Sequence, residues 1–228
     1  MVAEGQTEET FVRDVLAPEL APGMIFLSAR LVGTSPTQGG GALSYRRVLR
    51  YLRNTLRERT DTYVTTFFDL YRLDGDFPGA DEAAALRDPH TRVGFIETRF
   101  RRAVVEAASC REERFLAHIQ PYEFEGLLFS DVPRLAEIEP GWRAFAAELN
   151  AVRTGATSPE HIDDGPDTHP SARLSRLLRP RYQKALHGPR AALRIGLAKI
   201  AQECAHFGEW LDRLRQLQPL AGVDGRAS

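Results

Sequence analysis

The chain has 228 residues, 43% of them hydrophobic and 27% charged, with a formal net charge of −1. That length can bury a sizeable core as one domain with at most a small appendage, and the composition points to no exotic class. The longest apolar runs are a handful of residues and no charged-then-apolar segment opens the chain, so neither membrane insertion nor export is supported and a cytoplasmic location is expected.

Taken in order, strand signals fall at residues 1–3, 24–32, 63–68 and 115–120, with helical patterns between them at 8–16, 44–59 and 93–107. Strands alternating with helices over connections this long predict an α/β fold, with a mainly parallel, doubly wound four-stranded sheet flanked by helices in which a few strands could run antiparallel. Beyond Asp131 the strand signal stops. Helical stretches at 132–137, 142–152, 172–178, 182–186, 189–198 and 201–217 then make a helical C-terminal half. The expected organisation is a core over 1–131, a helical region packed on it over 132–222 and a frayed tail over 223–228. Residues 155–170, rich in Gly, Pro, Ser and Asp, are the main internal loop. The first strand has three residues before Glu4, where a central strand has about five or six. This predicts either a start further upstream or a short strand of low local stability.

The acids collect at strand ends. Glu4 closes the first strand and Glu8 follows one helical turn later, which suits a ligand-binding sheet edge and equally a helix start that favours acids. Asp69 ends the third strand, with Asp74 and Asp76 in the loop after it, and Glu123 and Glu125 follow the fourth. Two carboxylates about 5 Å apart repel by roughly 3 kcal/mol at an effective dielectric near 20, so four or five at one edge require protons, arginines or a cation. Hard oxygen donors without paired histidine or cysteine select Mg2+ or Mn2+ over zinc. The two cysteines, Cys110 and Cys204, lack zinc spacing and read as buried small hydrophobes.

The motifs Glu4-Gly5-Gln6-Thr7-Glu8-Glu9, Phe68-Asp69 with Asp76-Phe77-Pro78-Gly79, and Glu123-Phe124-Glu125-Gly126-Leu127-Leu128-Phe129-Ser130-Asp131 resemble the TOPRIM-like family numbered 4276 among the domains of unknown function. Asp164-Gly165-Pro166-Asp167-Thr168-His169-Pro170-Ser171-Ala172-Arg173-Leu174, Tyr182-Gln183-Lys184-Ala185-Leu186-His187-Gly188-Pro189 and Cys204-Ala205-His206-Phe207 continue the resemblance over nearly the whole chain. TOPRIM domains occur in topoisomerases, primases and the nucleases of the overcoming-lysogenization-defect type. They carry a glutamate after the first strand and an Asp-x-Asp after the third. The resemblance implies a divalent-metal site for phosphodiester chemistry, with Glu4, Glu8, Asp69, Asp76, Glu123 and Glu125 as ligands. Glu4 is also the candidate general base, and Lys184 would neutralise charge on the scissile phosphate. Tyr71 stands where the second aspartate of Asp-x-Asp belongs, so Asp74 or, preferably, Asp76 must substitute.

Substrate handling is less marked. The glycine-rich run 33–41 would allow close backbone approach to phosphate. The next helix carries Arg46, Arg50, Arg53 and Arg57 on one stripe, which could track a nucleic-acid backbone or be a plainly solvated face. Only Lys184 and Lys199 are lysines, so basic residues elsewhere count only where they cluster. His169, Arg173 and His187 are further phosphate candidates. The leading expectation is a Mg2+- or Mn2+-dependent nuclease acting on DNA or RNA as the effector of an anti-phage defence system. The alternative is a non-catalytic nucleic-acid-binding or scaffold subunit. The chain has no phosphate loop of its own, so a separate ABC-type ATPase is the expected partner, with self-association into a homo-oligomer left open.

Overall fold

The computed structural model describes residues 1–32, 43–162 and 165–220. The glycine-rich run 33–41, Asp164 and the tail 223–228 lie outside the described residues. Four strand lanes build the sheet in the order β2-β1-β3-β4, every pairing parallel. β1 is Val2–Ala3, β2 Arg30–Leu31, β3 Val64–Asp69 and β4 Phe115–Leu116, and β5, Ile119–Gln120, continues the β4 lane along β3. The fold is α/β with flanking helices, as the alternation of signals predicts.

β3 is the axis of the molecule. All six of its residues are buried, and its side chains divide between two apolar cores. Val64 and Phe68 pack with Val48, Leu52, Phe100 and Val104, which come from α3 (Tyr45–Glu58) and α5 (Pro89–Ala108). Phe67 packs on the other face with Phe11, Phe124, Phe207 and Trp210. Between α3 and α5 lies the short helix α4 (Ala80–Ala83). The break in the fourth lane is patched by a side chain: the Thr66 hydroxyl donates to the His118 carbonyl at 3.0 Å and accepts from the His118 N–H at 2.9 Å.

The second core joins the chain's two halves. On this face α1 (Gln6–Phe11) runs through a π-helical turn, Val12–Leu16, into α2 (Ala17–Leu20). Against it pack the helices that follow the sheet: α6 (Val132–Ala136), α7 (Ala146–Thr154), α8 (Pro170–Leu177), α9 (Lys184–Ile195), α10 (Leu197–Glu203) and α11 (Ala205–Arg215). Trp142, Leu174, Ile195 and Trp210 share one cluster with Phe11 and Phe67. Several expected boundaries move. The second strand shrinks to two residues of 24–32, because only Arg30 and Leu31 register on β1. The helix expected at 201–217 splits at Cys204, and α9 spans Pro189, joining two expected pieces.

Candidate metal centre at the strand ends

Parallel register sets the site. Ala3 lies beside Phe67 and Gln120 beside Asp69, so the residues leaving β1, β3 and β5 emerge at one sheet edge. Glu4 reaches across it, its Oε1 accepting the Asp69 N–H at 3.0 Å. Glu8 folds back so that its Oε2 accepts the Gly5 N–H at 3.0 Å, closing the first turn of α1. Asp69 Oδ1 accepts the Phe124 N–H at 2.8 Å, which fixes the turn after β5 against the end of β3. In that turn Tyr122 holds φ at +57°, a left-handed conformation costly for a bulky residue, immediately before Glu123. Asp69, Glu123 and Glu125 each place one carboxylate oxygen within 4.8 Å of the others.

From the helical half, α9 supplies the counter-charge. Lys184 Nζ donates to Glu123 Oε1 at 3.0 Å and to Glu125 Oε2 at 3.2 Å. Glu123 is further held by the Ser171 hydroxyl and N–H, at 3.0 and 2.9 Å, and His169 Nδ1 lies 3.0 Å from its Oε2. The Tyr182 hydroxyl donates to Glu125 Oε1 at 3.3 Å.

The electrostatics are lopsided. Burial, with Glu8 close by, pushes the Glu4 carboxyl up to about 8, and burial lifts Glu125 to about 7 despite Lys184. Burial and then the charges of Glu8, Glu4 and Glu125 raise Asp69 well above the usual range, and burial raises Glu8. Glu123 alone goes the other way: burial pushes it up, but Lys184, the Ser171 N–H and His169 together hold it below the ordinary value. Burial lowers Lys184, yet Glu125, Glu123 and Asp69 outweigh it and raise the ammonium. Five carboxylates thus face Lys184 and the charge of Arg72, a deficit of positive charge that protons cover. The donor set of Asp69, Glu123 and Glu125 fits a hard divalent cation, since it is all oxygen, buried, and drawn from the ends of β3 and β5.

Not every expected residue arrives here. Asp76 is redirected: its carboxylate accepts from the Tyr45 N–H at 2.8 Å and the Ser44 hydroxyl at 3.3 Å, so it serves the start of α3 instead of joining the acids. Asp74 accepts the Gly75 N–H within its own turn. Tyr71, in the place of the second aspartate, stacks on His169 with ring centres 5.0 Å apart. His187 is turned inward, 3% exposed, edge-on to Trp142 with Nδ1 accepting the Gln183 N–H, so it has no face to offer a nucleic acid. His169, which caps α8, lies beside Glu123, whereas Arg173 on α8 donates from its guanidinium to the Thr168 carbonyl. Arg46, Arg50, Arg53 and Arg57 are exposed along α3, but Arg57 spends its guanidinium on the carbonyls of Ala107 and Ala108. Ser171 and Tyr182 are the partners that residue type alone does not reveal, because only the packing of α8 and α9 brings a hydroxyl onto a buried carboxylate.

A family described as a domain of unknown function, DUF4276, matches residues 3–215. No curated protein and no solved structure matches the chain.

Proposed function

The chain belongs to the DUF4276 family, and from that premise we propose that it is a Mg2+- or Mn2+-dependent nuclease that hydrolyses phosphodiester bonds of DNA or RNA. The observation that carries this reading is the convergence of Asp69, Glu123 and Glu125 oxygens within 4.8 Å at an edge also reached by Glu4, Glu8 and Lys184. Asp69, Glu123 and Glu125 would hold the cation, with Glu4 and Glu8 beside them. When bound, such a cation polarises a phosphoryl oxygen and favours a hydroxide nucleophile. Glu4, with its carboxyl raised to about 8, holds a proton near neutral pH and would become the base for an attacking water once it has lost that proton, as the pH approaches 8 or as a cation beside it displaces the proton. Lys184, freed from part of its pairing, offsets charge developing on the phosphate. The TOPRIM resemblance and the defence role with a separate ABC-type ATPase belong to the same reading; they rest on the motifs around Glu4, Asp69 and Glu123.

Purified chain incubated with plasmid, single-stranded DNA and transfer RNA in Mg2+ and in Mn2+ tests the reading. Metal-dependent cleavage lost in Glu123→Gln and Glu4→Ala is expected. Cleavage that survives both substitutions, or none under any condition with the ATPase partner added, removes it.

A second reading has its own support. Lys184 already places an ammonium between Glu123 and Glu125, and Asp76 caps α3. Both features suit a non-catalytic subunit that binds nucleic acid, in which the lysine is the resident cation. Calorimetry with Mn2+ separates the two: no heat of binding at pH 8 favours the second.

A further inference from the structure

Four of the six histidines gather away from the acidic edge. His90 opens α5, His118 sits in the gap between β4 and β5, His161 ends a 3-10 turn and His206 opens α11. Their rings touch in sequence: His90 to His161 at 4.7 Å, His90 to His206 at 6.0 Å and His118 to His206 at 5.1 Å between centres. Beside them Glu97, on the buried side of α5, brings its Oε1 to 2.8 Å from His206 Nε2 and 3.8 Å from His118 Nδ1.

We propose that Glu97, His118 and His206 form a second divalent-metal site, of the zinc class, chemically distinct from the all-oxygen centre at the strand ends. Each residue offers one ligand atom within 4.8 Å of the others. Two imidazoles on one tetrahedral ion, at metal–nitrogen distances of about 2.0–2.1 Å, have ring centres about 5 Å apart. His118 and His206 stand 5.1 Å apart with their rings 18° from parallel, so the spacing is of that size and a side-chain rotation within the same fold would turn both nitrogens onto one ion. His118 is 1% exposed, and the nitrogen it turns toward Glu97 is Nδ1; its Nε2, on the other side of the ring, is on the side of Gln120. Two histidines and one carboxylate leave a fourth position open, the ligand count of zinc sites that also hold water or a small ligand. Here His118, His206 and Glu97 line a cavity of about 310 Å³ that Glu209 and Arg213 complete.

The outer shell is built as well. Glu160, fully buried, accepts the His206 N–H at 3.0 Å and the Phe207 N–H at 3.0 Å, which fixes the first turn of α11 and the base of the His206 side chain. Thr66 fixes the backbone of His118, and Trp210 stacks on its ring at 4.4 Å. The site therefore staples α5, the sheet and α11.

The test uses untagged full-length protein stripped with a chelator, then titrated with Zn2+ by calorimetry and with Co2+ by visible absorption. Co2+ on a tetrahedral nitrogen-containing site absorbs strongly, whereas an octahedral oxygen site absorbs weakly. The expected results are one tight Zn2+ equivalent, an intense Co2+ spectrum and a rise in melting temperature with Zn2+. His206→Gln and Glu97→Gln, both at partly exposed positions, should each weaken Zn2+ binding by at least about 100-fold. Glu123→Gln should leave the Co2+ spectrum intact. A weak, octahedral-type Co2+ spectrum of the wild-type protein, requiring no variant, overturns the proposal; so does an intense spectrum retained in His206→Gln.

Discussion

Glu4 and Lys184 are the acid and the ammonium of the acidic edge whose charge can be read in solution. Glu4 carries a carboxyl raised from 4.5 to about 8, so between those values the folded chain keeps a proton that the unfolded chain releases. Stability from this group is full below about pH 4.5 and is lost as pH rises through 8. The metal-free protein should therefore melt progressively lower over that window. Glu4→Gln, which is never charged, should melt higher than wild type at pH 8, by an amount on the order of a few kcal/mol, and nearly equally at pH 5. Calorimetric melting at the two pH values checks this; an unchanged difference between them contradicts it. Lys184 neutralises the carboxylates that a cation would also neutralise. Lys184→Met should accordingly bind Mn2+ more tightly while cleaving nucleic acid more slowly, a split measured by titration and single-turnover kinetics. Weaker Mn2+ binding in that variant would show the lysine to be a support of the site and not a competitor for it.

At the scale of elements, α9 decides whether Lys184 reaches the acids. It lies against α1, with Gly188 beside Thr7. A Cβ there would stand 3.0 Å from the Phe124 ring, 3.0 Å from the Tyr182 hydroxyl and 3.2 Å from Thr7 Cγ2. Gly188→Ala should cost roughly 1–3 kcal/mol through overpacking and weaken Mn2+ binding with it, because Phe124 and Tyr182 adjoin Glu123 and Glu125. Denaturant melts with a parallel Mn2+ titration test it, and a stabilised Gly188→Ala with normal binding would contradict it. The sequence pattern makes the central elements legible: a buried run ending in Asp69, and an amphipathic helix with Val48, Leu52 and Leu56 inward. Edges were less legible. Residues 24–29 have the apolar composition of a strand but lie beside the helical half instead of pairing, and Phe26 is 79% exposed. The 3-10 stretch Phe124–Ser130, fully buried, has no periodicity that announces it, since every side of it meets protein.

For the molecule as a whole, the site depends on a core shared by both halves of the chain. Phe11 and Phe67 from the sheet half pack with Trp142, Ile195 and Trp210 from the helical half, and the same packing carries Ser171, Tyr182 and Lys184 onto the carboxylates. Glu4, Asp69, Glu123 and Glu125 were visible in sequence because strand ends of a parallel sheet share an edge. Lys184, which the family resemblance singles out, is one of only two lysines in the chain. Asp76 misled because spacing within a loop does not fix direction, and an aspartate just beyond a strand caps a neighbouring helix as readily as it binds a cation. The histidine cluster escaped because Glu97, His118 and His206 come from three elements distant in the chain. The most direct test of the central claim is Mn2+ diffused into crystals at pH 8, with anomalous scattering recorded at the manganese edge. A peak bonded to Asp69, Glu123 and Glu125, with Lys184 displaced, is the predicted result; an acidic edge without a peak and Lys184 still bridging Glu123 and Glu125 would contradict it.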